Sequence, residues 1–509
     1  MPSLLRSLQA SLGASLVVGA VLASCARTEV KPAPAEPSAS ADEAGVGEGG
    51  GGMPRPSGTA TEPGGACGFA STPTSFALPT IQGLALGGLS NALATEAKCF
   101  DGKPFRYMFR DMDGDLKFDL VVQTDCTDTT IGLDAWNVYT NIGTGFASTP
   151  KRFVLPQPRL DFTCAKTALE DVNGDLKPDF IVTTLCTDPT VGTSRWMVYP
   201  NGPDGFGVVA PYALPPGAAA GAFPSLFENA DCTSGRSGFT FFDIDGDRKD
   251  DLVVTSACDN TQVGTTSWRV YLGSGTGVAA TPIPFPLPTT PSVPLGTYAT
   301  TAGPSGPGCD GTTKGPRYSV DDVDHDFKPD LLVTQDCTDA TVGTTHWSVY
   351  RNSGTGFAPT PAPFALPVLP GVAPNAFPAP SGPGMCVGPQ QTPHFIFTDL
   401  DGNSRGDLVM EQACGDDTTG VSRWLLFRDV DGGGFAPTAS SYALPAALGG
   451  TVSARLGLSG PAACNTSPLR QGYTVLGLGE LERDLIVTSV CDDATVGTSR
   501  WLVYKGACP

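Results

Sequence analysis

Short apolar runs, separated by turns rich in Gly, Pro and Asp, recur along residues 67–509. One stretch of this kind contains Tyr318-Ser-Val, then Leu331-Leu-Val after a polar loop, then Trp347-Ser-Val-Tyr350 and Phe364-Ala-Leu. Such runs, rich in Val, Leu and aromatic residues and bounded by turn formers, predict β-strands. No long stretch places its apolar residues at helical spacing, so the pattern predicts an all-β fold.

The same unit occurs six times, and we number the copies repeats 1 to 6. Each repeat contains four predicted strands: A before a polar loop, B directly after it, C at a Trp, and D in a stretch from Gly-Phe to Leu-Pro. Self-similarity of this kind is typical of repeat architectures. All six Trp of the chain occupy the same place in strand C, one in each repeat: Trp136, Trp196, Trp268, Trp347, Trp424 and Trp501.

The two ends of the chain complement each other. It begins with an orphan D stretch at 68–79 and ends after a C strand at 501–504 that has no D stretch of its own. Four-stranded units repeated around an axis form a β-propeller, and closing the ring removes free sheet edges. We therefore predict a six-bladed β-propeller of four-stranded blades, closed by the N-terminal strand completing the last blade.

A nine-residue polar loop joins strands A and B in the first five repeats. In the first copy, Asp111, Asp113, Asp115 and Asp119 stand at loop positions 1, 3, 5 and 9, and Gly114 permits a sharp turn. Calcium binds roughly six to eight oxygen ligands, and a backbone carbonyl commonly serves position 7. An EF-hand would require flanking helices, so we predict a metal loop at the tip of a β-hairpin instead.

One such loop could be a solvated acidic turn, but five copies with the same spacing indicate metal binding. The sixth copy, residues 476–484, has decayed and keeps too few ligands. The predicted ligands, with position 7 contributing its backbone carbonyl, are Asp111, Asp113, Asp115, Lys117, Asp119, Asp171, Asn173, Asp175, Lys177, Asp179, Asp243, Asp245, Asp247, Lys249, Asp251, Asp322, Asp324, Asp326, Lys328, Asp330, Asp399, Asp401, Asn403, Arg405 and Asp407.

These Asp loops, the Asp-Leu-Val-Val type of strand that follows them, and the Gly-Thr-Gly-Phe turns together resemble FG-GAP/VCBS repeats. Such repeats build the calcium-binding propellers of integrin α-chain heads and of many bacterial surface proteins. The resemblance covers nearly all of 67–509 and implies about five structural Ca²⁺ ions held by the loop residues. The chain departs from the pattern in having fewer units than integrin heads, a degenerate last loop and many cysteines.

The start of the chain has the features of an export signal. Arg6 gives residues 1–25 a positive start, and the largely apolar run at 12–22 is too short to span a membrane. Cys25, which follows Leu-Ala-Ser, resembles the lipidated cysteine of a bacterial lipoprotein signal; an ordinary secretory signal is the alternative. Residues 26–66, rich in Pro, Ala, Gly, Ser and Glu, are predicted to form a disordered tether to the propeller at 67–509.

Fifteen cysteines are present, so fourteen remain when Cys25 is set aside. An even number in an exported protein predicts disulfides, and a zinc site or free thiols is the alternative. Each repeat holds one Cys before strand A and one after strand B, at positions that face each other in an antiparallel hairpin. The predicted pairs, of which the last would lock the ring, are Cys99–Cys126, Cys164–Cys186, Cys232–Cys258, Cys309–Cys337, Cys386–Cys414, Cys464–Cys491 and Cys67–Cys508.

Two further motifs have a structural and a functional interpretation. The B–C loops repeat Asp-x-Thr-Val-Gly, which is typical of a turn capped by Asp. Alternatively, the cations next to the Trp residues form a ring that binds an anion: Arg195, Arg423, Arg500 and His346. The Trp residues themselves are predicted to pack between blades, and stacking on sugar rings is the alternative.

The formal net charge of −20 argues against a nucleic-acid partner, and part of this acidity would be ligand charge. No Ser/His/Asp or Cys/His constellation is apparent. We therefore predict a monomeric, non-enzymatic binding or adhesion module, lipid-anchored in the bacterial cell envelope at the outer membrane, on its periplasmic side or at the cell surface. Its ligand would be a glycan or an envelope protein, bound on the face with the D–A linkers and B–C loops. The alternatives are a polysaccharide-degrading lyase or hydrolase and a purely structural envelope protein.

Overall fold

A computed structural model of the chain shows an all-β fold. It describes residues 67–84, 88–89, 96–156, 165–219, 221–288, 308–309, 315–367, 377, 381–385, 392–403, 405–446, 459–460, 471–478 and 483–508. The predicted signal at 1–25, with Cys25, and the tether at 26–66 lie outside the described residues. Within the described part of the chain, no helix is long and apolar enough to cross a membrane.

Each repeat forms an antiparallel sheet in the order A–B–C–D, and the described strands group into six hydrogen-bonded sheets. Strands A are Pro104–Arg110, Lys166–Glu170, Gly238–Phe242, Arg317–Asp321, Thr392–Thr398 and Gly472–Leu476. Strands B are Asp119–Thr124, Asp179–Thr184, Asp251–Ser256, Asp330–Gln335, Asp407–Gln412 and Asp484–Ser489. Strands C are Ala135–Tyr139, Arg195–Tyr199, Ser267–Tyr271, His346–Tyr350, Arg423–Phe427 and Arg500–Tyr504. Strands D are Lys151–Val154, Ala210–Ala213, Ile283–Pro286, Ala362–Ala365, Ser440–Ala443 and, for repeat 6, Thr74–Ala77.

The first and last strands close the ring. Thr74–Ala77 pairs antiparallel with Arg500–Tyr504, and Phe76 lies opposite Trp501. This confirms the prediction that the orphan D strand completes the last repeat. The pairing covers the edge of strand C in repeat 6, which would otherwise be free. The chain is thus an all-β propeller.

The Gly-Phe part of each predicted D stretch has a different partner from the rest of that stretch. It does not extend strand D but lies beside strand D of the preceding repeat, as in the parallel bridges Gly145 to Ala77 and Gly277 to Ala213. The backbone N–H groups of Phe146 and Val278 donate to the carbonyls of these alanines, each at 2.9 Å. We call this contact the Gly-Phe clasp; its short strands are Gly68–Phe69, Asn201–Gly202, Gly205–Phe206 and, at the chain end, Gly506–Ala507.

The aromatic residue of the clasp fills the space between neighbouring repeats. Phe206 packs edge-on against Trp136 with ring centroids 5.7 Å apart, and Phe69 packs against Trp424 at 5.5 Å. All six Trp side chains are buried. Inter-repeat packing is therefore the correct interpretation of the Trp residues, because a buried ring has no face free to stack on a sugar.

Four repeats carry a further short strand that the sequence did not predict. Segments of the D–A linkers turn back and pair antiparallel with strand A, which adds a fifth strand to the sheet at that edge. These linker strands are Glu96–Lys98, Phe227–Glu228, Ser381–Met385 and Ser459–Gly460. The linkers are thus partly ordered by the same sheets that they connect.

The disulfides follow the predicted register wherever both cysteines are described. Cys186, Cys414 and Cys491 are also disulfide-bonded, and their predicted partners Cys164, Cys386 and Cys464 lie outside the described residues. Structural disulfides persist in oxidising compartments, so the protein is exported to one. The described bonds, with Cα–Cα distances of 4.3, 5.9, 5.2 and 5.2 Å, are Cys67–Cys508, Cys99–Cys126, Cys232–Cys258 and Cys309–Cys337.

Candidate metal centres

The aspartate at position 1 shapes each A–B loop. Asp111 accepts hydrogen bonds from the N–H groups of Gly114 and Leu116, each at 2.7 Å. Asp171 and Asp243 make the same pair of bonds at the same distances. These bonds fold the backbone around one carboxylate, so that the following polar side chains point to the same side of the loop.

Two loop positions adopt the left-handed conformation, and only one of them was apparent from the sequence. Position 4 is Gly114 in loop 1 (φ 80°), and His325 takes the same conformation in loop 4 (φ 62°). Position 6 is also left-handed, although Leu116 and Phe327 occupy it (φ 67° and 69°). L side chains rarely adopt this conformation, so the loop bonds hold it against its intrinsic strain. His325 thus occupies in loop 4 the position that glycine holds in the other four loops.

Carboxylate oxygens converge in four of the five predicted loops, within 4.8 Å of one another. In loop 2 the corresponding position 3 is an amide, Asn173, whose Nδ2 donates to Asp179 Oδ2 at 3.1 Å. Several carboxylate oxygens at one point form a donor set suited to a hard cation. The converging groups are Asp111, Asp113 and Asp115; Asp243, Asp245 and Asp251; Asp322, Asp324 and Asp330; and Asp399, Asp401 and Asp407.

The position-9 aspartate is the most buried member of each loop, and burial raises its pKa. The pKa of Asp119 rises to about 7 and that of Asp407 to about 8, because both carboxyls are withdrawn from water. Neighbouring loop carboxylates raise the pKa further, while backbone N–H groups oppose the rise. The folded chain thus holds buried carboxyl groups that a nearby positive charge would stabilise in their ionised form.

The same aspartate also has a structural role that the sequence did not reveal. Its Oδ1 accepts the backbone N–H of the second residue after strand C, for example from Asn141 to Asp119 and from Asn201 to Asp179, both at 2.9 Å. Its Oδ2 accepts the N–H of loop position 2, as from Met112 to Asp119 at 3.1 Å. Position 9 therefore joins strand B to the C–D turn through backbone hydrogen bonds.

Three position-7 lysines pair with the position-5 aspartates of their own loops. Lys117 Nζ bonds to Asp115 Oδ2 at 2.8 Å, and Lys328 Nζ to Asp326 Oδ2 at 2.9 Å. Both lysines are partly exposed. Position 7 can therefore offer a metal ion its backbone carbonyl but not its side chain. That this carbonyl is a metal ligand stays a prediction.

Asparagine side chains connect the loops of neighbouring repeats. Asn201, just after strand C of repeat 2, donates from Nδ2 to the carbonyl of Met112 in loop 1 at 3.1 Å. Asn352 bonds in the same way to Ile244 in loop 3 at 2.8 Å, and Asn141 bonds to Leu478 in loop 6. The signal for this role was present in the sequence as an Asn two residues after the Tyr of strand C.

The B–C loops lie at the opposite ends of the strands from the A–B loops. Arginine side chains hold their turns through ion pairs. Both the N–H and the hydroxyl of Thr190 donate to Asp188 Oδ1, and Arg195 Nη2 bonds to Asp188 Oδ2 at 2.7 Å. These hydrogen bonds lower the pKa of Asp188 to about 2. Arg423 and Arg500 bond to loop aspartates in the same way, at 3.1 and 2.9 Å. The arrangement supports the turn interpretation, because each of these arginines already has a carboxylate partner.

One acid–base pair occurs in a single repeat. His394 of strand A bonds through Nδ1 to Oε2 of Glu411 in strand B, and the Glu411 side chain is buried. The hydrogen bond to Glu411 raises the pKa of His394. Thr stands at the Glu411 position in most other repeats, where Thr334, for example, bonds to the carbonyl of Arg317 at 3.3 Å.

Comparisons with known proteins add little to this picture. No protein-family model matches the chain, and no curated protein matches it. A Photorhabdus luminescens Tc holotoxin pore structure aligns with 86% of this chain at 15% identity and a TM-score of 0.42, but this chain spans only 15% of that toxin chain. An Agrocybe aegerita lectin that recognises non-reducing terminal N-acetylglucosamine aligns with 86% of this chain and 90% of its own length, at 14% identity and a TM-score of 0.37.

A Penicillium chrysogenum α-L-arabinanase aligns with 86% of this chain and 98% of its own length, at 11% identity and a TM-score of 0.30. Similarities this low do not indicate what this chain binds or does. The molecule's own geometry therefore supports two conclusions. The chain is an exported, disulfide-bonded β-propeller, and its A–B loops bring carboxylates together in groups that can bind metal ions.

Proposed function

We propose that this chain is a calcium-stabilised, six-bladed propeller of the FG-GAP/VCBS type that serves as a non-enzymatic binding or adhesion module of the bacterial cell envelope. The observation that carries the proposal is the recurrence of converging carboxylates in the loops, three of the four groups including the buried position-9 aspartate. Carboxylates packed this closely repel one another, and burial raises their pKa values. A divalent cation offsets both effects.

Calcium fits these loops better than magnesium does. Each loop offers several carboxylate oxygens and a backbone carbonyl, and calcium accepts six to eight such ligands in flexible geometry. Magnesium requires a near-ideal octahedron and retains its water ligands. Asp243, Asp245 and Asp251 would hold the ion in loop 3, with the carbonyl of Lys249. The bound ion would supply positive charge that fixes the loop, and about five ions would bind in all.

The chain's location follows from its disulfides and from its start. The described disulfides support export, and the lipobox-like sequence that ends at Cys25 supports a lipid anchor. Residues 26–66 would then hold a rigid disc away from the membrane. Replacing Cys25 by Ser should release the protein from the membrane fraction or leave it unprocessed; unchanged processing and retention would refute the anchor.

The binding face would be the one formed by the B–C loops and the D–A linkers. Loops on a rigid scaffold are where binding usually resides, and the opposite face is taken by the metal loops. The three longest linkers, at 289–308, 368–385 and 446–463, are rich in Pro, Gly and Ala and lie largely outside the described residues. A glycan or another envelope protein is the ligand that we propose.

A glycan array tests this function. The 67–509 fragment should bind a defined set of glycans in the presence of calcium, and EDTA should weaken binding because the scaffold loosens. The contrary result is a fragment that binds no glycan on the array and captures no envelope protein in a pull-down with the matched EDTA control. That result would contradict the binding module and favour the purely structural alternative.

A second candidate is a polysaccharide-degrading lyase or hydrolase. The pair of His394 and Glu411 favours it, because this pair is not repeated and joins a basic nitrogen to a buried carboxyl. Turnover of envelope polysaccharides by the purified fragment, abolished by Glu411→Gln with the fold intact, would establish the enzyme and overturn the binding module.

A further inference from the structure

The residue that directly follows strand C divides the six repeats into two classes. In repeats 1 to 3 it is uncharged: Thr140, Pro200 and Leu272. In repeats 4 to 6 it is a cation: Arg351, Arg428 and Lys505. The position matters because the next residue donates its backbone N–H to the position-9 aspartate, which brings this side chain beside the metal loop.

In repeat 4 the cation lies within the carboxylate group itself. Arg351 Nη1 is 2.7 Å from Oδ2 of Asp330 and 3.2 Å from Oδ2 of Asp324. Both aspartates belong to the converging group of loop 4. The guanidinium thus bonds to the same oxygens that calcium would use, and its Nη2 is bonded to the Gly432 carbonyl of the next repeat.

Repeat 5 shows the same arrangement with one fewer acid. Arg428 Nε is 3.0 Å from Oδ2 of Asp401, a member of the converging group of loop 5. Position 5 of this loop is Asn403 instead of an aspartate. The negative charge of loop 5 is therefore smaller than that of loop 4, and a cation is present beside it.

Repeat 6 completes the series. Its loop has lost the acids at positions 1 and 3, which are Leu476 and Leu478, but it keeps Asp484 at position 9. Lys505 Nζ bonds to Oδ2 of Asp484 at 2.8 Å, and Oδ1 accepts the N–H of Gly506 at 3.3 Å. The buried carboxylate thus has an ammonium partner supplied by its own repeat.

We propose that a tethered cation takes the place of calcium in part of the ring. Lys505 replaces the ion in loop 6, Arg351 and Arg428 compete with it in loops 4 and 5, and loops 1 to 3 depend on calcium. This inference rests on the proposed calcium function and states which loops perform it. A guanidinium already within hydrogen-bond distance offsets carboxylate repulsion, and calcium must displace it before binding.

Equilibrium dialysis of the full chain against Ca²⁺ measures how many calcium sites have the higher affinity and how many have the lower. The wild type should bind about three ions with one affinity and two more with an affinity roughly tenfold weaker, since displacement of an ion pair opposes binding there. Arg351→Thr, which installs the residue of repeat 1, should move one weak site into the tight class. Arg195→Thr removes an ion-paired arginine far from the metal loops, in a B–C turn, and should leave the affinities unchanged.

The reverse substitution keeps the proposal testable if Arg351→Thr does not fold. Thr140→Arg should weaken one tight site roughly tenfold, whereas Thr140→Ala should not. Lys505→Met should lower the melting temperature without creating a calcium site, because loop 6 has too few oxygen ligands. Five equal sites in the wild type, or affinities unaffected by Arg351→Thr and Thr140→Arg, would overturn the inference while leaving calcium binding intact. A wild type that binds no calcium would instead overturn the proposed function.

Discussion

At the scale of single residues, the position-9 aspartates decide how the protein responds to pH. Burial raises the pKa of Asp119, Asp179 and Asp251 from 3.8 to about 7. Each of these carboxyls also accepts backbone N–H groups that join strand B to the C–D turn. One residue type thus serves both the fold and the proposed metal site, which explains why repeat 6 retains Asp484 after losing the acids at positions 1 and 3.

These raised pKa values predict that calcium stabilises the protein more at higher pH. Below about pH 4 both folded and unfolded carboxyls are protonated, so burial has no electrostatic cost. As the pH rises from about 4 to 7, these carboxyls ionise in the unfolded chain but stay protonated in the folded chain. The calcium-free protein therefore loses stability over this range. Calcium favours the ionised form, so the calcium-induced rise in melting temperature should grow between about pH 5 and pH 8. Thermal melts across this range, with Mg²⁺ as a control, measure it; a rise independent of pH would contradict the assignment.

The pair of His394 and Glu411 also loses its stabilisation as the pH rises. The hydrogen bond to Glu411 raises the pKa of His394, so the pair's stabilisation is complete below the unfolded pKa of histidine and is lost as the pH rises through the folded pKa. Glu411→Thr, which installs the residue found in most other repeats, removes this dependence. The wild type should therefore lose stability relative to that variant as the pH rises above the ordinary histidine pKa of about 6.5. If the melting temperatures of the wild type and of Glu411→Thr changed with pH in the same way, the result would contradict the pairing.

At the scale of elements, the Gly-Phe clasp explains why this dipeptide recurs in the repeat. A Cβ on Gly145 would lie 2.7 Å from both Cβ and the carbonyl oxygen of Ala77, so only glycine allows the two backbones to approach. The sequence predicted the correct strands A, B and C and the position of the hairpin loops. It could not show that Gly145 belongs beside another repeat, because local spacing carries no information about a partner in a neighbouring sheet.

Gly145→Ala tests the clasp. The added methyl group meets backbone that cannot move without opening the contact between repeats, and overpacking of this kind costs about 1–3 kcal/mol of unfolding free energy. Gly143→Ala in the same turn is the matched control: its Cβ meets nothing within 4 Å, so only the strain of its positive φ of 82° remains. Urea denaturation of oxidised protein should show a larger loss for Gly145→Ala. Equal losses would mean that the close approach is not important.

At the scale of the whole molecule, ring closure joins residues that are far apart in sequence. The Cys67–Cys508 bond spans 441 positions, and it lies next to the pairing of Thr74–Ala77 with Arg500–Tyr504. The sequence predicted both features because the repeats leave one D strand unpaired at the start and one C strand unpaired at the end. It did not predict the linker strands, such as Phe227–Glu228, whose residues have no repeated pattern and pair only because strand A offers a free edge.

Removing the ring-closing disulfide should destabilise the protein more than removing one within a hairpin. The double substitution Cys67→Ser with Cys508→Ser should cost roughly 6 kcal/mol in the chain-entropy model, because it frees the longest covalent loop in the unfolded chain. Cys99→Ser with Cys126→Ser opens a span of only 27 residues and should cost about 3 kcal/mol. Denaturant melts under non-reducing conditions compare the two; a smaller loss for the ring-closing pair would contradict its role as a lock.

The central claim is that calcium binds the A–B loops and holds the propeller together, and calorimetry tests it most directly. Differential scanning calorimetry of the 67–509 fragment should show a melting temperature that rises with Ca²⁺ in the millimolar range, the affinity expected of extracellular calcium modules. EDTA should reverse the rise, renewed calcium should restore it, and Mg²⁺ at equal concentration should not replace it. A melting temperature that is the same in calcium and in EDTA would contradict the claim.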